Sequence, residues 1–213
     1  MAKISKVNIA EVWGFDELFP ILQDAFRVLY VSYFNLSIAK KNNPYKRPIK
    51  GHWYLEDIIT NDLVKGTIEI EKHFKYRIQK QQEDFETNSK IDIAVLYSLT
   101  FDDNSTDLKI ECKRLDNFQY IVDDGIKSFK NNKYSEKLIL AGMLLYNIQN
   151  NISTNIRTLN VKIEKKISSK EKLTEYSIIA DYPYTYKSTH KRNNNSDLDL
   201  YSCVFDFNEL IEN

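Results

Sequence analysis

The sequence predicts a mixed α/β (α+β) fold: one mixed β-sheet flanked by helices, with an added helix at the N-terminal end. Three observations lead there. Stretches of period-2 alternation follow one another between turn signals. One segment, "KLILAGMLLYNI", is almost continuously apolar, as expected of a strand covered on both faces. Apolar residues at helical spacing precede, interrupt and follow these strands.

The elements follow in order. Phe15, Leu18, Phe19, Leu22, Phe26, Leu29, Tyr30 and Tyr33 form one stripe of a helix over 17–39, with Asp16 placed to cap it. Pro20 fits only near its start. The run from Lys40 to His52, "KKNNPYKRPIKGH", reads as a loop: a solvated connection, or a basic arm contacting phosphates. A second helix is expected over 55–65, ending at Gly66. Strands are expected over 74–79, 91–99 and 107–114, the last two joined by the turn Asp102-Asp103-Asn104-Ser105. Phe118, Ile121, Val122, Ile126 and Phe129 then set a helix over 118–130, followed by the apolar strand 137–148. Ile152, Ile156, Leu159, Ile163 and Ile167 define another helix. Strands over 175–186 and 198–205 close the fold around the Asn-rich turn "KRNNNSD", with a short helical turn at 208–211.

At 213 residues this is length for one domain, 1–213: an N-terminal helix and basic loop (1–50), an α-β-β-β-α-β core (51–150), and a helix with closing strands (151–213). Five glycines and the absence of GxGxxG or GxxxxGKS patterns leave no support for a glycine-rich phosphate loop. Thirty basic and thirty acidic residues balance, so net charge names no partner. Cys112 and Cys203 read as small buried residues in a reduced cytosol, not as a disulfide framework. The start, "MAKISKVNIAEVWGFDELF", lacks a signal-peptide core, and no apolar run is long enough to span a bilayer, so a cytoplasmic chain with no membrane partner is expected. His52, His73 and His190 have no zinc-site spacing.

The chemistry concentrates in "IDIAVLYSLTFDDNSTDLKIECKRLD". On a strand Lys109, Glu111 and Lys113 share one face and Leu108, Ile110 and Cys112 the other. A hairpin would fold Asp92 back beside Glu111. Two carboxylates and an ammonium at one sheet end suit a hard divalent cation and phosphodiester chemistry. The bland alternative is a solvated cross-strand charge pair.

Asp92, with Glu111-Cys112-Lys113 nineteen residues on, resembles the core motif of the PD-(D/E)xK, or restriction-endonuclease-like, nuclease superfamily, whose α-β-β-β-α-β order matches 55–148. Ile91 stands where many members carry proline. The resemblance implies Asp92 and Glu111 as ligands to Mg²⁺ (or Mn²⁺), the Cys112 backbone carbonyl as a third ligand, and Lys113 as the catalytic lysine. It implies an acidic residue from the preceding helix: Glu56, with Asp57 as substitute. By element order it extends to Phe207, and "YIVDDGIKSF" and "KYSEKLILAGMLLY" are similar to small standalone restriction-like proteins. In such proteins a polar strand can lie at the DNA groove. Ser188, His190 and Arg192 share a strand face, which is either a nucleic-acid contact or an ordinary exposed face. The implied function is a metal-dependent endonuclease, most readily on DNA, in bacterial restriction or antiviral defence, working as a homodimer or with a partner protein. Two rivals are a non-catalytic nucleic-acid-binding or regulatory protein on the same fold, and a purely structural or oligomeric protein. Cys112, on the apolar face, reads as core rather than nucleophile. The Tyr182, Tyr184, Tyr186 row reads as sheet packing rather than a base-stacking platform.

Overall fold

A computed structural model of the chain describes residues 15–46, 52–71, 76–84, 89–97, 106–131, 133 and 140–212. The turn at 102–105, the strand ends at 74–75, 98–99 and 137–139, His73, and residues 47–51 of the basic loop lie outside them.

Helix α1 (Phe15–Lys40) and helix α2 (His52–Glu71) come first. Strands β1 (Tyr76–Asp84), β2 (Ser89–Tyr97) and β3 (Thr106–Arg114) follow. Next is a helical stretch in three parts: α3 (Phe118–Tyr120), a π-turn (Ile121–Ile126) and α4 (Lys127–Lys130). Strand β4 (Leu140–Asn147) and helix α5 (Ile152–Lys166) lead to β5 (Thr174–Glu175), β6 (Thr185–Lys191) and β7 (Asp197–Asp206). All seven strands form one sheet in the order β1-β2-β3-β4-β7-β6-β5. β4 pairs in parallel with both β3 and β7, and the other pairings are antiparallel, so the sheet is mixed.

Both faces are covered. Leu18, Leu22, Ala25, Phe26 and Leu29 of α1 and Leu55, Ile59 and Leu63 of α2 pack on the face that carries Ile93, Ile110, Cys112, Leu144 and Tyr146. The π-turn and α5 pack on the opposite face, against Ala141, Met143, Leu145 and Val204. Alternation along β4 sends successive side chains into the two cores, and all eight of its residues are buried.

Several expectations change. α1 already includes Phe15 and Asp16, so Asp16 lies in its first turn and not at its cap. Gly66 does not end α2 but sits inside it, where a Cβ would meet Ser32 Oγ at 2.2 Å. Its missing side chain lets α1 and α2 approach closely, and Ser32 Oγ donates to the Leu63 carbonyl at 2.7 Å. The expected helix over 118–130 carries a π-turn at its centre, around Asp123, Asp124 and Gly125, which favour a regular helix poorly. The expected strand over 175–186 is broken into β5 and β6. Asp181 takes a positive φ of 61° there, and Pro183 cannot donate to a ladder. Consequently Tyr182 packs in the α1/α2 core, with its ring 4.6 Å from that of Tyr30, whereas Tyr184 and Tyr186 face the other core. The three tyrosines are packed as expected but do not form one row. Among the described residues no helix is long and apolar enough to cross a membrane.

β4 needs glycine at position 142, the partner of Ile110 in the sheet. A Cβ there would lie 2.7 Å from Ile110 Cγ1 and 3.1 Å from Phe26 Cζ. Gly142→Ala is expected to destabilise the fold by ~1–3 kcal/mol through overpacking. Urea unfolding reads this as a lowered midpoint with an unchanged slope; an unchanged midpoint would contradict the packing of α1 on β4.

Candidate active site

Strand alternation sends Ile110 and Cys112 into the α1/α2 core and leaves Glu111 and Lys113 on the π-turn face. The β2–β3 pairing runs to Ile93↔Ile110, so Asp92 and Glu111 are the next positions along the two strands. There the Asp92 carboxylate takes over from the ladder: Cys112 N–H donates to Asp92 Oδ2 at 2.8 Å. This bond holds the aspartate over the strand end.

Lys113 Nζ is the meeting point. It donates to Glu111 Oε2 at 2.8 Å, to the Cys112 carbonyl at 2.9 Å and to Asp92 Oδ2 at 3.2 Å. It also lies 3.8 Å from Glu56 Oε1. The other Glu56 oxygen, Oε2, accepts the Arg114 N–H at 3.0 Å, so α2 is tied directly to the end of β3. A second tie runs through the core. Thr60 Oγ1 donates to the Glu56 carbonyl at 2.8 Å, which leaves it to accept from the Tyr146 hydroxyl at 2.9 Å. β4 thereby helps set the turn of α2 that carries Glu56.

Glu56 is therefore not an ordinary first-turn carboxylate favoured by the helix dipole. α2 begins at His52, which places Glu56 beyond the first turn and over the sheet. Asp57, the alternative, turns away: its Oδ1 lies 3.4 Å from Lys80 Nζ on β1.

Exposure is uneven. The Lys113 and Glu111 side chains are 5% exposed and Glu56 is 13% exposed, whereas Asp92 is 27% exposed. The cluster opens to solvent chiefly past Asp92. Burial pushes the Glu56 carboxyl up to about 7; Lys113 opposes the shift and Asp92 adds to it. For Lys113, burial works against the charged form, but Glu111, Asp92 and Glu56 together outweigh it and hold the ammonium protonated. Burial raises the Cys112 thiol well above its ordinary range, which fits a core residue and not a nucleophile.

Among the described residues no group of three or more His, Cys, Asp or Glu side chains is arranged to hold a metal ion. In the contacts, the oxygens converge on an ammonium. The Asp92 carboxylate, the Glu111 carboxylate and the Cys112 carbonyl all face Lys113 Nζ within 3.2 Å. These are the three oxygen donors that the family resemblance assigns to a metal, and the donor set of two carboxylates and a carbonyl suits Mg²⁺ or Mn²⁺. The Lys113 ammonium occupies the point on which these oxygens converge.

Ser188, His190 and Arg192 do share a face of β6, but it is an inner one: they are 3%, 0% and 2% exposed. Ser188 Oγ lies 2.8 Å from His190 Nε2, and His190 Nδ1 lies 2.6 Å from Glu171 Oε2. Glu171 also accepts from Lys130 Nζ, and Arg192 Nε donates to the Phe129 carbonyl at 3.2 Å. These side chains serve internal partners three strands away from β3, on a buried face and not the exposed one expected.

One residue at the site escaped the sequence reading. Tyr120, 39% exposed, carries its ring to 5.1 Å from Lys113 Nζ. The available signal was its place three residues after the polar Asn117, at a helix start directly beyond the Glu-Cys-Lys strand. Comparison with protein-family models, with curated proteins and with solved structures gives no match to this chain.

The raised Glu56 value has a consequence for stability. Folding lifts this pKa from 4.5 to about 7, so the folded state holds the proton more tightly than the unfolded chain. The stability associated with the protonated carboxyl is fully present below pH 4.5 and is lost as pH rises through 7, ~3 kcal/mol in all. Glu56→Gln keeps an acceptor for Arg114 N–H and removes the titration. In metal-free buffer the variant should gain on the wild type by up to that amount between pH 4.5 and 7, as read by urea unfolding. A wild-type-to-variant difference independent of pH would mean that Glu56 is not buried in this cluster.

Proposed function

We propose that the protein is a metal-dependent nuclease of the PD-(D/E)xK type that hydrolyses phosphodiester bonds, with DNA as the preferred substrate. The observation that carries this reading is the oxygen cage of Asp92, Glu111 and the Cys112 carbonyl around one cationic point, with Glu56 beside it. The α-β-β-β-α-β order from α2 to β4, with a mixed sheet, supports it as well.

Asp92, Glu111 and the Cys112 carbonyl would hold Mg²⁺ or Mn²⁺. Such an ion supplies a water of lowered pKa and polarises the phosphoryl oxygen. To admit it, the Lys113 ammonium would have to leave the Asp92, Glu111 and Cys112 oxygens it now faces. Once displaced, it can orient the attacking water and offset charge growing on the phosphate. Glu56, beside the point on which these oxygens converge, would be placed to accept the proton that this water loses. A new P–O bond forms to the water oxygen as the ester P–O bond breaks, and a second water protonates the leaving oxygen. Buried Glu111 and Lys113 keep bulk water out of the cage and maintain their mutual geometry.

The test is cleavage of DNA and RNA substrates with Mg²⁺ or Mn²⁺ by wild type, Glu111→Gln and Lys113→Ala. Each variant should lose roughly 100-fold or more of the rate. Cleavage that persists unchanged in both would remove the site assignment. Tight nucleic-acid binding with no cleavage under either ion would instead favour the non-catalytic binding protein.

A further inference from the structure

Beside the carboxylate cluster a groove of about 440 Å³ runs between the segment that follows β3 and helix α5. Asp116, Phe118 and Gln119 line one wall, and Val161, Lys162 and Lys165 line the other. Tyr120 follows Gln119 directly and points its ring at Lys113. The groove and the cluster are therefore linked along the chain by Gln119 and Tyr120, whose exposed ring lies outside the groove's own lining.

The charges in the groove are sorted. Asp116 is held by the Arg114 guanidinium, and Asp123, below the groove, pairs with Lys127 at 2.7 Å and accepts from Gln119. Among the described residues neither Lys162 nor Lys165 takes part in an ion pair. Basic residues in the last turn of α5 favour the helix dipole, which explains Lys165 and Lys166 but not Lys162 one turn earlier. Val161, 45% exposed, and the half-buried Phe118 add apolar surface between the lysines. A basic groove interleaved with apolar and aromatic side chains matches a phosphodiester chain with unpaired bases.

The recess of the cluster points the same way. With Glu111 and Lys113 only 5% exposed, a phosphate must enter a narrow opening. The rigid backbone of a duplex presents its bases inward, where Tyr120 could not reach them. An unpaired strand can bend in and lay a base on that ring.

We propose that this groove binds single-stranded nucleic acid, with Lys162 and Lys165 on successive phosphates and Tyr120 stacking the base beside the carboxylate cluster. Tyr120 is then a substrate-positioning residue. The inference rests on the nuclease reading for what happens to the strand, but not for its binding.

Binding is measured without divalent metal, by fluorescence anisotropy of a labelled DNA oligonucleotide, single-stranded or annealed to its complement. The strand is longer than the ~4–16 nucleotides such sites cover. The wild type should bind the single strand more tightly than the duplex. Lys162→Ala with Lys165→Ala should weaken it roughly tenfold and flatten the slope of log affinity against log salt by about 1.4. Tyr120→Ala should weaken it roughly tenfold, and Tyr120→Phe should restore binding because the stacking face remains. Duplex bound more tightly than single strand, or affinity unmoved in the lysine and Tyr120→Ala variants, would overturn the inference. Single-strand binding through these residues with no cleavage under any metal would uphold it while the nuclease reading failed.

Discussion

The ammonium of Lys113, 5% exposed and ringed by carboxylates, is the constraint from which the rest of the site follows. A charge this deeply placed is costly unless its partners are close and well aimed. Here the partners come from three different elements. β3 supplies Glu111 and the Cys112 carbonyl, β2 supplies Asp92, and α2 supplies Glu56. None of these can drift without leaving a buried charge behind. The β2–β3 register, the Asp92 bond to Cys112 N–H and the Glu56 bond to Arg114 N–H are therefore parts of a single electrostatic arrangement.

Packing on each side supports that arrangement. On one face the close approach of α1 and α2 at Gly66, and the Tyr146–Thr60–Glu56 chain, set where α2 presents its carboxylate. On the other face the π-turn lies over Lys113: a Cβ at Gly125 would sit 3.8 Å from the lysine Cγ, in ordinary contact, and 3.0 Å from Met143 Cε. A π-turn inserts an extra residue per turn and is frequent at functional sites. In this chain it follows directly on Tyr120, whose ring lies 5.1 Å from Lys113 Nζ. The same face thus also presents an exposed aromatic beside the lysine.

Much of this was legible in the residues because it rests on period-2 alternation. The facing of Glu111 and Lys113 and the core role of Cys112 follow from that pattern, the approach of Asp92 from the hairpin, and the all-buried β4 from its nearly unbroken apolar run. Three features did not follow. Alternation tells that Ser188, His190 and Arg192 share a face, but not that Glu171, Lys130 and Phe129 would cover it from distant parts of the chain. Gly66 carries the signature of a helix end, yet the need for contact with Ser32 overrides it. The hydrophobic spacing over 118–130 suits an α-helix, and only the weak helix formers at 123–125 mark the π-turn that replaces its centre. In the first two cases a long-range contact decides what a local window cannot.

The central claim is that the oxygens now facing Lys113 are a cation site. The most direct test is a crystal soaked in Mn²⁺, examined by anomalous scattering. The account predicts a peak bounded by Asp92, Glu111 and the Cys112 carbonyl, at distances of ~2.0–2.3 Å, with the Lys113 ammonium displaced from these oxygens. An anomalous map with no peak there, and Lys113 still bonded to Asp92 and Glu111 at saturating Mn²⁺, would contradict it.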